Sequence, residues 1–372
     1  MKIIVVGAGL AGAACAYALA RRGAAVTVLS QGGGASELPA GLLAAHLSAQ
    51  DVELSQLSRI GALLTLLHAQ ALLKEGRDWQ PSFLEQRLLF HPEKNERLLQ
   101  AAAKLPDWYE THDCAVIHKK ASWIKPQALA SAWLSQPGIA VCTARAVALR
   151  RVDDLWHAFD AQGTLIAQAQ SIVIAAGAQS GELLAQCGHP LLMDNVSGSI
   201  AIGAWPDEWA SQNSQPIING NGSFLSGIAQ ANGDKFWTSG ATYEREIHAS
   251  PDDLQAASLQ ANQDRLAELL PPELLAHTNA QFAAGQVQSW QGIRCTTSDR
   301  LPIVGELESG LYACTAMGSR GLSFAALCGE ILAQEIMQHV VQDSAQHDRA
   351  PIISAQHRRL LLPQRKTLKV AS

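Results

Sequence analysis

The sequence has no uninterrupted apolar segment long enough to span a membrane, and only 16% of its 372 residues are charged. It also has no internal repeat and no low-complexity linker. These absences argue against a membrane-spanning helix, a repeat array and a disordered chain. A chain of this length exceeds a single compact core. We therefore expect a cytoplasmic, globular protein of two domains that does not bind a membrane.

The sequence has no pair of cysteines with CxxC spacing, so it lacks the usual pattern of a zinc or redox site. His68, His91, His112 and His189 likewise show no metal-ligand spacing with one another. We therefore expect buried free thiols in a reducing cytoplasm and no metal. The seven cysteines are Cys15, Cys114, Cys142, Cys187, Cys295, Cys314 and Cys328.

Acidic residues are missing from the end of the chain, after Asp348. The six basic residues of this tail leave the rest of the chain with a net charge of −11, against −5 for the whole. The tail is either a surface for a polyanion or a solvated segment that covers the domain beneath it. The basic residues are Arg349, Arg358, Arg359, Arg365, Lys366 and Lys369.

The first 23 residues carry the strongest positive signal. An apolar strand, Ile3 to Val6, is followed by a glycine turn and by an alanine-rich helix. The glycines have the GxGxxG spacing of a dinucleotide-binding unit: Gly7 allows the tight turn, Gly9 lets the backbone approach a pyrophosphate, and Gly12 lets helix and strand pack closely. The phosphates are expected at the helix N-terminus, near Leu10 and Ala11. The chain is therefore predicted to bind FAD or NAD(P).

One element of this fingerprint is absent. The second strand normally ends in an acidic residue that binds the adenosine ribose, but here it ends at Ser30-Gln31. A serine hydroxyl can still bond a ribose hydroxyl, without the strength of a charged acceptor. No arginine follows that would bind a 2′-phosphate. The choice between FAD and NAD(P) must come from elsewhere in the chain.

Periodicity predicts an α/β fold that returns to the nucleotide domain twice. A strand at 171–175 enters the turn at Ala176-Gly177, and a strand at 310–314 enters a turn at Gly318 and a helix at 322–339. Between residues 193 and 288 we expect mainly antiparallel strands, with a type I′ turn at Asn232-Gly233. A helix at 251–270 is expected to end at the prolines 271 and 272.

Two arginines stand beside glycines in the C-terminal third. Residues 292–305 read Gly-Ile-Arg-Cys-Thr-Thr-Ser-Asp-Arg-Leu-Pro-Ile-Val-Gly, and residues 317–322 read Met-Gly-Ser-Arg-Gly-Leu. Together with Gly34 to Ser36, Ala40-Gly41 and 240–243, these segments resemble the D-amino-acid-oxidase/glycine-oxidase family of FAD enzymes. Within the family they are most similar to the oxidase half of bifunctional enzymes that make 5-methylaminomethyl-2-thiouridine in bacterial tRNA. No segment corresponds to the methyltransferase half.

The resemblance implies a Rossmann-type FAD-binding domain (1–80, 126–186 and 291–372) and a discontinuous, mainly antiparallel-sheet substrate domain (81–125 and 187–290). It implies non-covalent FAD. It also implies that Arg294 and Arg320 bind the substrate carboxylate, with Tyr243 as a third candidate. Structural alternatives are an ion pair with Asp299 for Arg294 and a flavin contact for Arg320. The cofactor residues are expected to be Gly7, Gly9, Leu10, Ala11, Gly12, Ser30, Gln31, Ser36, Gly41, His46, Val147, Ala176, Gly177, Gly318, Ser319, Arg320, Gly321 and Leu322.

The resemblance further implies oxidation of 5-carboxymethylaminomethyluridine at the tRNA wobble position, with tRNA as partner and a separate methyltransferase as a further candidate partner. A turn of Gly-Ser-Arg-Gly can also place backbone N–H groups and a helix N-terminus where negative charge builds on the flavin. Two other functions stay open. One is an amine or amino-acid oxidase acting on a free small molecule such as glycine or sarcosine. The other is a tRNA-binding module that keeps flavin only for stability.

Overall fold

The structure is a computed structural model that describes residues 1–88, 92–209, 215–240, 242–243, 251–340 and 351–367. The strands, in chain order, are β1 Lys2–Val6, β2 Ala25–Ser30, β3 Gly41–Leu43, β4 Trp79–Arg87, β5 Tyr109–His112, β6 Ala115–Ile124, β7 Ile139–Thr143, β8 Ala148–Val152, β9 Leu155–Phe159, β10 Leu165–Ala169, β11 Ser171–Ile174, β12 Asp194–Ala204, β13 Ile217–Ile218, β14 Ser223–Ala229, β15 Lys235–Gly240, β16 Gln288–Thr296, β17 Ile303–Glu308 and β18 Leu311–Thr315. The helices are α1 Leu10–Ala20, α2 Glu53–Leu72, α3 Pro92–Ala103, α4 Pro126–Leu134, α5 Ser180–Gln186, α6 Pro251–Leu269, α7 Pro272–Ala283, α8 Gly321–Val340 and α9 Ala355–Arg359.

The chain divides into two compact units. The first contains Met1–Glu37, Pro126–Asn195 and Arg294–Ser372, and the second contains Leu38–Lys125 and Val196–Ile293. Both units are therefore assembled from separate stretches of the chain.

The first unit is built on a six-stranded sheet with the order β17-β18-β11-β1-β2-β7. All its neighbouring strands are parallel except β17 and β18, which pair antiparallel at one edge. The central strands are buried on both faces, as in β11 and β18, which explains their continuous apolar runs. Helix α1 packs against both α8 and α4. The predicted Rossmann-type α/β fold is confirmed.

A small antiparallel sheet with the order β10-β9-β8 belongs to the same unit. Its tight hairpin lies between β8 and β9, where Val152 pairs with Leu155 across a two-residue loop. Asp153 and Asp154 both have left-handed φ angles, +48° and +62°, as a type I′ turn requires. The acidic pair tolerates this backbone because short polar side chains stabilise left-handed conformations locally.

The second unit is built on a large sheet with the order β16-β12-β15-β14-β13-β4-β6-β3, and β5 also pairs with β6. β12 and β14 pair antiparallel with β15, β13 pairs antiparallel with β14, and β3, β4 and β5 pair antiparallel with β6, whereas β13 pairs parallel with β4. The sheet is therefore mainly antiparallel, as predicted. Its core against α6 and α7 is rich in tryptophan and leucine: Trp205, Trp209, Phe224, Trp237, Leu266, Leu269, Leu270 and Leu274.

In this unit one helix prediction is confirmed and one turn prediction was wrong. Helix α6 ends at Leu269, before the prolines 271 and 272, as predicted. Pro272 also begins α7, because proline at the first helical position lacks only an N–H that would be unpaired anyway. The loop between β14 and β15 is longer than a two-residue turn, since the N–H of Gln230 bonds to the carbonyl of Asp234. Within it, Gly233 has a φ of +93°. Asn232 does not have the left-handed φ that a type I′ turn needs.

Residues 38–80 pack in the second unit, although the sequence placed them in the nucleotide-binding domain. The reason is strand pairing. β3 pairs antiparallel with β6, and Trp79 at the start of β4 pairs with Ile124 at the end of β6. Helix α2 also packs against β6. The segment therefore contributes to the large sheet, and the first of the three stretches that form the first unit ends at Glu37.

Four of the seven cysteines are buried, while Cys142 and Cys187 are partly exposed and Cys114 is exposed; all are free thiols. The expectation of buried thiols thus fails for Cys114, which lies in the turn between β5 and β6. Across the described ranges, no helix combines the length and apolarity that crossing a membrane requires.

Helices α1 and α8 approach each other most closely at Gly329. A Cβ atom on this residue would lie 2.7 Å from both the carbonyl carbon and the carbonyl oxygen of Ala14. We expect Gly329→Ala to separate the helices and to lower the free energy of unfolding by about 1–3 kcal/mol, measured by denaturant titration. Gly181→Ala is the control, because a Cβ there meets its nearest neighbour, Met193, at an ordinary 3.5 Å. Equal stability of the two variants would contradict the close-packing argument.

Candidate functional site

The glycine turn after β1 is packed against its neighbours through the backbone. Gly7 has a φ of +109°, and a Cβ on it would lie 2.3 Å from the carbonyl oxygen of Ala175, at the end of β11. A Cβ on Gly12 would lie 1.9 Å from the carbonyl oxygen of Gly7. Only glycine fits at both positions. The turn therefore leaves a side-chain-free surface at the carboxyl ends of β1 and β11.

Helix α1 begins in this turn and presents its N-terminus there. The N–H of Leu10 donates a hydrogen bond to the hydroxyl oxygen of Ser36, at 3.0 Å. The N–H groups of the first turn, including those of Ala11 and Gly12, have no acceptor within the helix. Together with the helix dipole, they favour an anion at this end of α1. Gly9 completes the surface, since a Cβ on it would lie 3.0 Å from Oγ of Ser36.

Two further turns converge on the same edge of the sheet. Ala176 and Gly177 follow β11 and begin a short 3-10 turn, with a φ of +55° at Gly177. The other turn follows β18, and a Cβ on Gly321 would lie 3.2 Å from Cδ1 of Leu10. The structure thus brings together most of the predicted cofactor residues of the first unit: Gly7, Gly9, Leu10, Ala11, Gly12, Ser36, Ala176, Gly177 and the turn Gly318, Ser319, Arg320, Gly321 and Leu322.

The other predicted residues of this unit lie at the ends of β2 and β8. The hydroxyl of Ser30 accepts the N–H of Gly32 at 3.2 Å, and Gln31 is exposed. Val147 donates its N–H to the carbonyl of Phe159 at 2.9 Å, so this N–H already takes part in the small sheet.

Arg294 and Arg320 both belong to the first unit, which resumes at Arg294, within β16. Arg294 is on β16 and is half-buried, and Arg320 ends the 3-10 turn Gly318–Arg320, also half-buried. A Cβ on Gly318 would lie 3.0 Å from Oγ1 of Thr296. The turn with Arg320 therefore contacts β16 two residues beyond Arg294.

Three predicted residues belong to the second unit. Gly41 is buried on β3 and pairs with Ile124. His46 precedes α2 and forms hydrogen bonds with two of its serines. Its N–H donates to Oγ of Ser58 at 2.8 Å, and its Nδ1 lies 3.0 Å from Oγ of Ser55. Tyr243 is 65% exposed. Position 241, two residues before Tyr243, lies outside the described residues.

A carboxylate that the sequence did not assign lies in the loop after β2. Oε1 of Glu37 accepts the N–H of Gly33 at 2.5 Å. Its position depends on the loop conformation, so neither spacing nor composition identifies it. Within the described ranges, no cluster of three or more His, Cys, Asp or Glu side chains is arranged to hold a metal ion.

A family model described as FAD dependent oxidoreductase (DAO) matches residues 2–335. The chain belongs to this family. It is thus an FAD-dependent oxidoreductase, as the sequence predicted. The residues present fit the cofactor, because the glycine surface and the N-terminus of α1 leave room and hydrogen-bond donors for a pyrophosphate.

Several curated relatives match 90% of the chain. The tRNA 5-methylaminomethyl-2-thiouridine biosynthesis bifunctional protein MnmC from Polaromonas sp. strain JS666 is 38% identical over 360 residues. Proteins of the same name from Polaromonas naphthalenivorans and Verminephrobacter eiseniae are 39% and 40% identical. The chain spans 56%, 56% and 60% of these three relatives, respectively.

Solved structures of DAO-type fold also match. Glycine oxidase from Geobacillus kaustophilus has a TM-score of 0.70 at 20% identity, with 94% of this chain and 98% of that chain covered. Iminodiacetate oxidase from Chelativorans sp. BNC1 has a TM-score of 0.68 at 20% identity, with 93% and 97% covered. These likenesses establish the fold of the chain.

The basic C-terminal segment is bound to the first unit by its own charges. Arg358 pairs with Glu335 and donates to the carbonyl of Val304 at 2.9 Å. Asp299 lies 3.0 Å from Nζ of Lys366 and 3.3 Å from Nε of Arg365. Asp299, the ion-pair partner considered for Arg294 from the sequence, is therefore paired with two residues of the tail.

Backbone bonds attach the same segment, since Val304 donates to Leu361 and Leu192 donates to Lys366, each at 2.8 Å. Arg358, Arg365 and Lys366 therefore bind groups of the first unit, as expected for a tail that covers the nucleotide-binding domain. Arg359 is exposed, and residues 349 and 369 lie outside the described ranges.

Asp299 is predicted to control the attachment of this segment. Partial burial acts to raise the pKa of Asp299, but hydrogen bonds from Lys366, Thr297 and the N–H of Leu301 outweigh it and lower the pKa from 3.8 to about 2. A carboxylate whose pKa is depressed on folding stabilises the protein above its unfolded pKa. We therefore expect protection of residues 351–367 from hydrogen exchange to fall as pH decreases from about 4 to about 2.

At pH 7, Asp299→Asn should increase exchange in the same segment and lower the free energy of unfolding by about 1 kcal/mol, a small value because the carboxylate is partly exposed. Asp154→Asn is the control, because Asp154 is an almost fully exposed carboxylate of the same unit. An unchanged exchange pattern in Asp299→Asn would show that the backbone bonds alone hold the segment.

Proposed function

We propose that the chain oxidises 5-carboxymethylaminomethyl(-2-thio)uridine at the wobble position of tRNA. The products are glyoxylate and 5-aminomethyl(-2-thio)uridine. The observation that carries the proposal is the 38–40% identity, over 90% of this chain, to proteins named for 5-methylaminomethyl-2-thiouridine biosynthesis in tRNA. Because the chain spans little more than half of those bifunctional proteins, the activity assigned to it is the oxidative one that a DAO fold supports.

The substrate is a secondary amine that links the methylene on the base to a carboxymethyl group. FAD, when bound, accepts the hydride that leaves the carboxymethyl carbon and is reoxidised by oxygen, which forms peroxide. Loss of the hydride and of the amine proton leaves a carbon–nitrogen double bond. Water adds to this carbon, the carbon–nitrogen bond breaks, and glyoxylate leaves. The aminomethyl group remains on the base.

The protein's contribution to this reaction is mainly positioning, because a hydride donor needs its carbon held in place more than it needs a strong base. Arg294 and Arg320 suit this role. A guanidinium binds a carboxylate through two parallel hydrogen bonds, which fix direction as well as distance. Both arginines are half-buried, and the turn that carries Arg320 lies against β16. Tyr243, exposed on the second unit, is proposed as a further substrate contact.

The Gly318–Arg320 turn is proposed to have a second effect. It leads directly into α8, a helix of 20 residues whose N-terminus carries partial positive charge. Such a terminus stabilises negative charge that develops nearby during reduction. FAD is proposed to be held here without a covalent link.

Binding of tRNA requires basic side chains that contact phosphates, and only some of the basic residues of the tail are proposed for this role. Arg358, Arg365 and Lys366 bind protein groups, so they are not proposed as phosphate contacts. Arg359 is exposed and remains a candidate. A methyltransferase is proposed as a functional partner, because this activity must supply or consume a modified uridine in the biosynthesis for which the relatives are named.

Anaerobic mixing tests the proposed substrate. The oxidised flavin should be bleached by tRNA that carries 5-carboxymethylaminomethyluridine, and glyoxylate should appear in equal amount. Glycine and sarcosine, at millimolar concentration, should bleach it far more slowly. Faster bleaching by a free amine would support the small-molecule oxidase instead. If neither bleaches the flavin while the tRNA still binds, the flavin serves stability only.

Arg294→Lys tests the proposed clamp. Loss of a bidentate, partly desolvated contact with a carboxylate costs about 2–5 kcal/mol, so kcat/KM should fall by tens to thousands of fold while FAD stays bound. Arg320→Lys should have a similar effect. Arg150→Lys is the control, since Arg150 lies exposed on β8 of the same unit. Kinetics of Arg294→Lys that match this control would remove Arg294 from the site.

A further inference from the structure

The end of β2 lacks the acidic residue that dinucleotide-binding units use for the adenosine ribose. Ser30 occupies that position, and its hydroxyl accepts the N–H of Gly32 at 3.2 Å. The hydroxyl is therefore engaged by its own loop. A chain that binds FAD without this residue needs another acceptor near the same sugar.

The loop after β2 folds back and returns a carboxylate to this place. Gly32, Gly33 and Gly34 have φ angles of +79°, +76° and +137°, values that side-chain-bearing residues rarely adopt. The N–H of Glu37 then donates to the carbonyl of Gly34 at 3.0 Å and closes the turn. Oε1 of Glu37 accepts the N–H of Gly33 at 2.5 Å. The three glycines thus allow Glu37 to lie over the residues that directly follow β2.

The preceding residue shows which part of the cofactor is close. Ser36 accepts the N–H of Leu10 at the N-terminus of α1, the position expected for the pyrophosphate. In FAD, the adenosine ribose is joined directly to that pyrophosphate. Ser36 and Glu37 are consecutive, so Glu37 lies between the phosphate end of the site and the end of β2. This is the place where the ribose hydroxyls are expected.

We propose that Glu37 replaces the missing acid of β2 and accepts a hydrogen bond from a ribose hydroxyl of FAD. One carboxylate oxygen binds the N–H of Gly33, and the second oxygen is left to face the sugar. The side chain is exposed at the surface of the first unit, as a ligand contact requires. The proposal concerns cofactor binding alone, so it does not depend on the identity of the amine substrate.

The test measures the Kd of FAD for apoprotein, and in parallel the Kd of an FAD analogue that contains 2′-deoxyadenosine. Wild-type protein should bind FAD about ten- to a hundred-fold more tightly than the analogue, the range for a hydrogen bond to a charged group. Glu37→Gln should lose most of this preference, because a neutral acceptor binds the hydroxyl less strongly. Glu182→Gln, which changes an exposed carboxylate on α5 of the same unit, should keep the preference.

The substitution Glu37→Gln also separates ribose binding from a structural role of Glu37 in its loop. Its side-chain oxygen can still accept the N–H of Gly33, so the loop should keep its conformation, and thermal unfolding of the apoprotein should be unchanged. Adding Ser30→Asp to Glu37→Gln should restore the preference for FAD. The proposal is overturned if wild-type protein binds FAD and the analogue equally, or if Glu37→Gln weakens both equally. It is also overturned if Ser30→Ala, rather than Glu37→Gln, removes the preference.

Discussion

The nucleotide-binding unit depends on one backbone contact, the approach of the glycine turn to the carbonyl ends of its neighbours. At Gly7 and at Gly12, a single added carbon atom would overlap a carbonyl oxygen, at 2.3 Å and 1.9 Å. This contact fixes where α1 starts, and therefore where its unpaired N–H groups point. The turns after β11 and β18 gather around the same point, and Arg320 lies on the second of them. A surface made of backbone atoms requires positions without side chains. The GxGxxG spacing in the sequence meets this requirement.

The parts of the structure that local physics controls could be predicted from the sequence. The strand, turn and helix of the first 23 residues, the return turns at Ala176 and Gly318, and the antiparallel character of the second sheet follow from periodicity and glycine position. The resemblance to the family added the cofactor. What could not be predicted depends on partners far along the chain. Residues 38–80 join the second unit because β3 finds β6, and no local pattern encodes that pairing. Helix α7, which begins at Pro272, was not predicted either, and its Leu274 packs in the tryptophan-rich core with residues from distant strands.

The surroundings of the charged residues were the hardest feature to predict from the sequence. The tail is rich in basic residues, and composition alone cannot say whether they face solvent or protein. In the structure, Glu335 pairs with Arg358, and Asp299 pairs with Arg365 and Lys366, so these three basic residues of the tail bind acidic residues of the same unit. The same difficulty applies to Glu37. Its importance comes from a loop of three glycines whose φ angles bring it back over β2, and not from a spacing that a motif could capture.

The strand order of the first unit also has a consequence for biosynthesis. The sheet places β1 between β2 and β11, while β18, from the far end of the chain, completes it next to β11. During translation, the N-terminal strand therefore leaves the ribosome about three hundred residues before its sheet can be completed. The second unit ends at Ile293, so all of its residues are available earlier. The sheet that begins with β1 is therefore completed only when β18 has been synthesised. A chain released from the ribosome before β18 would expose the apolar edge of β11.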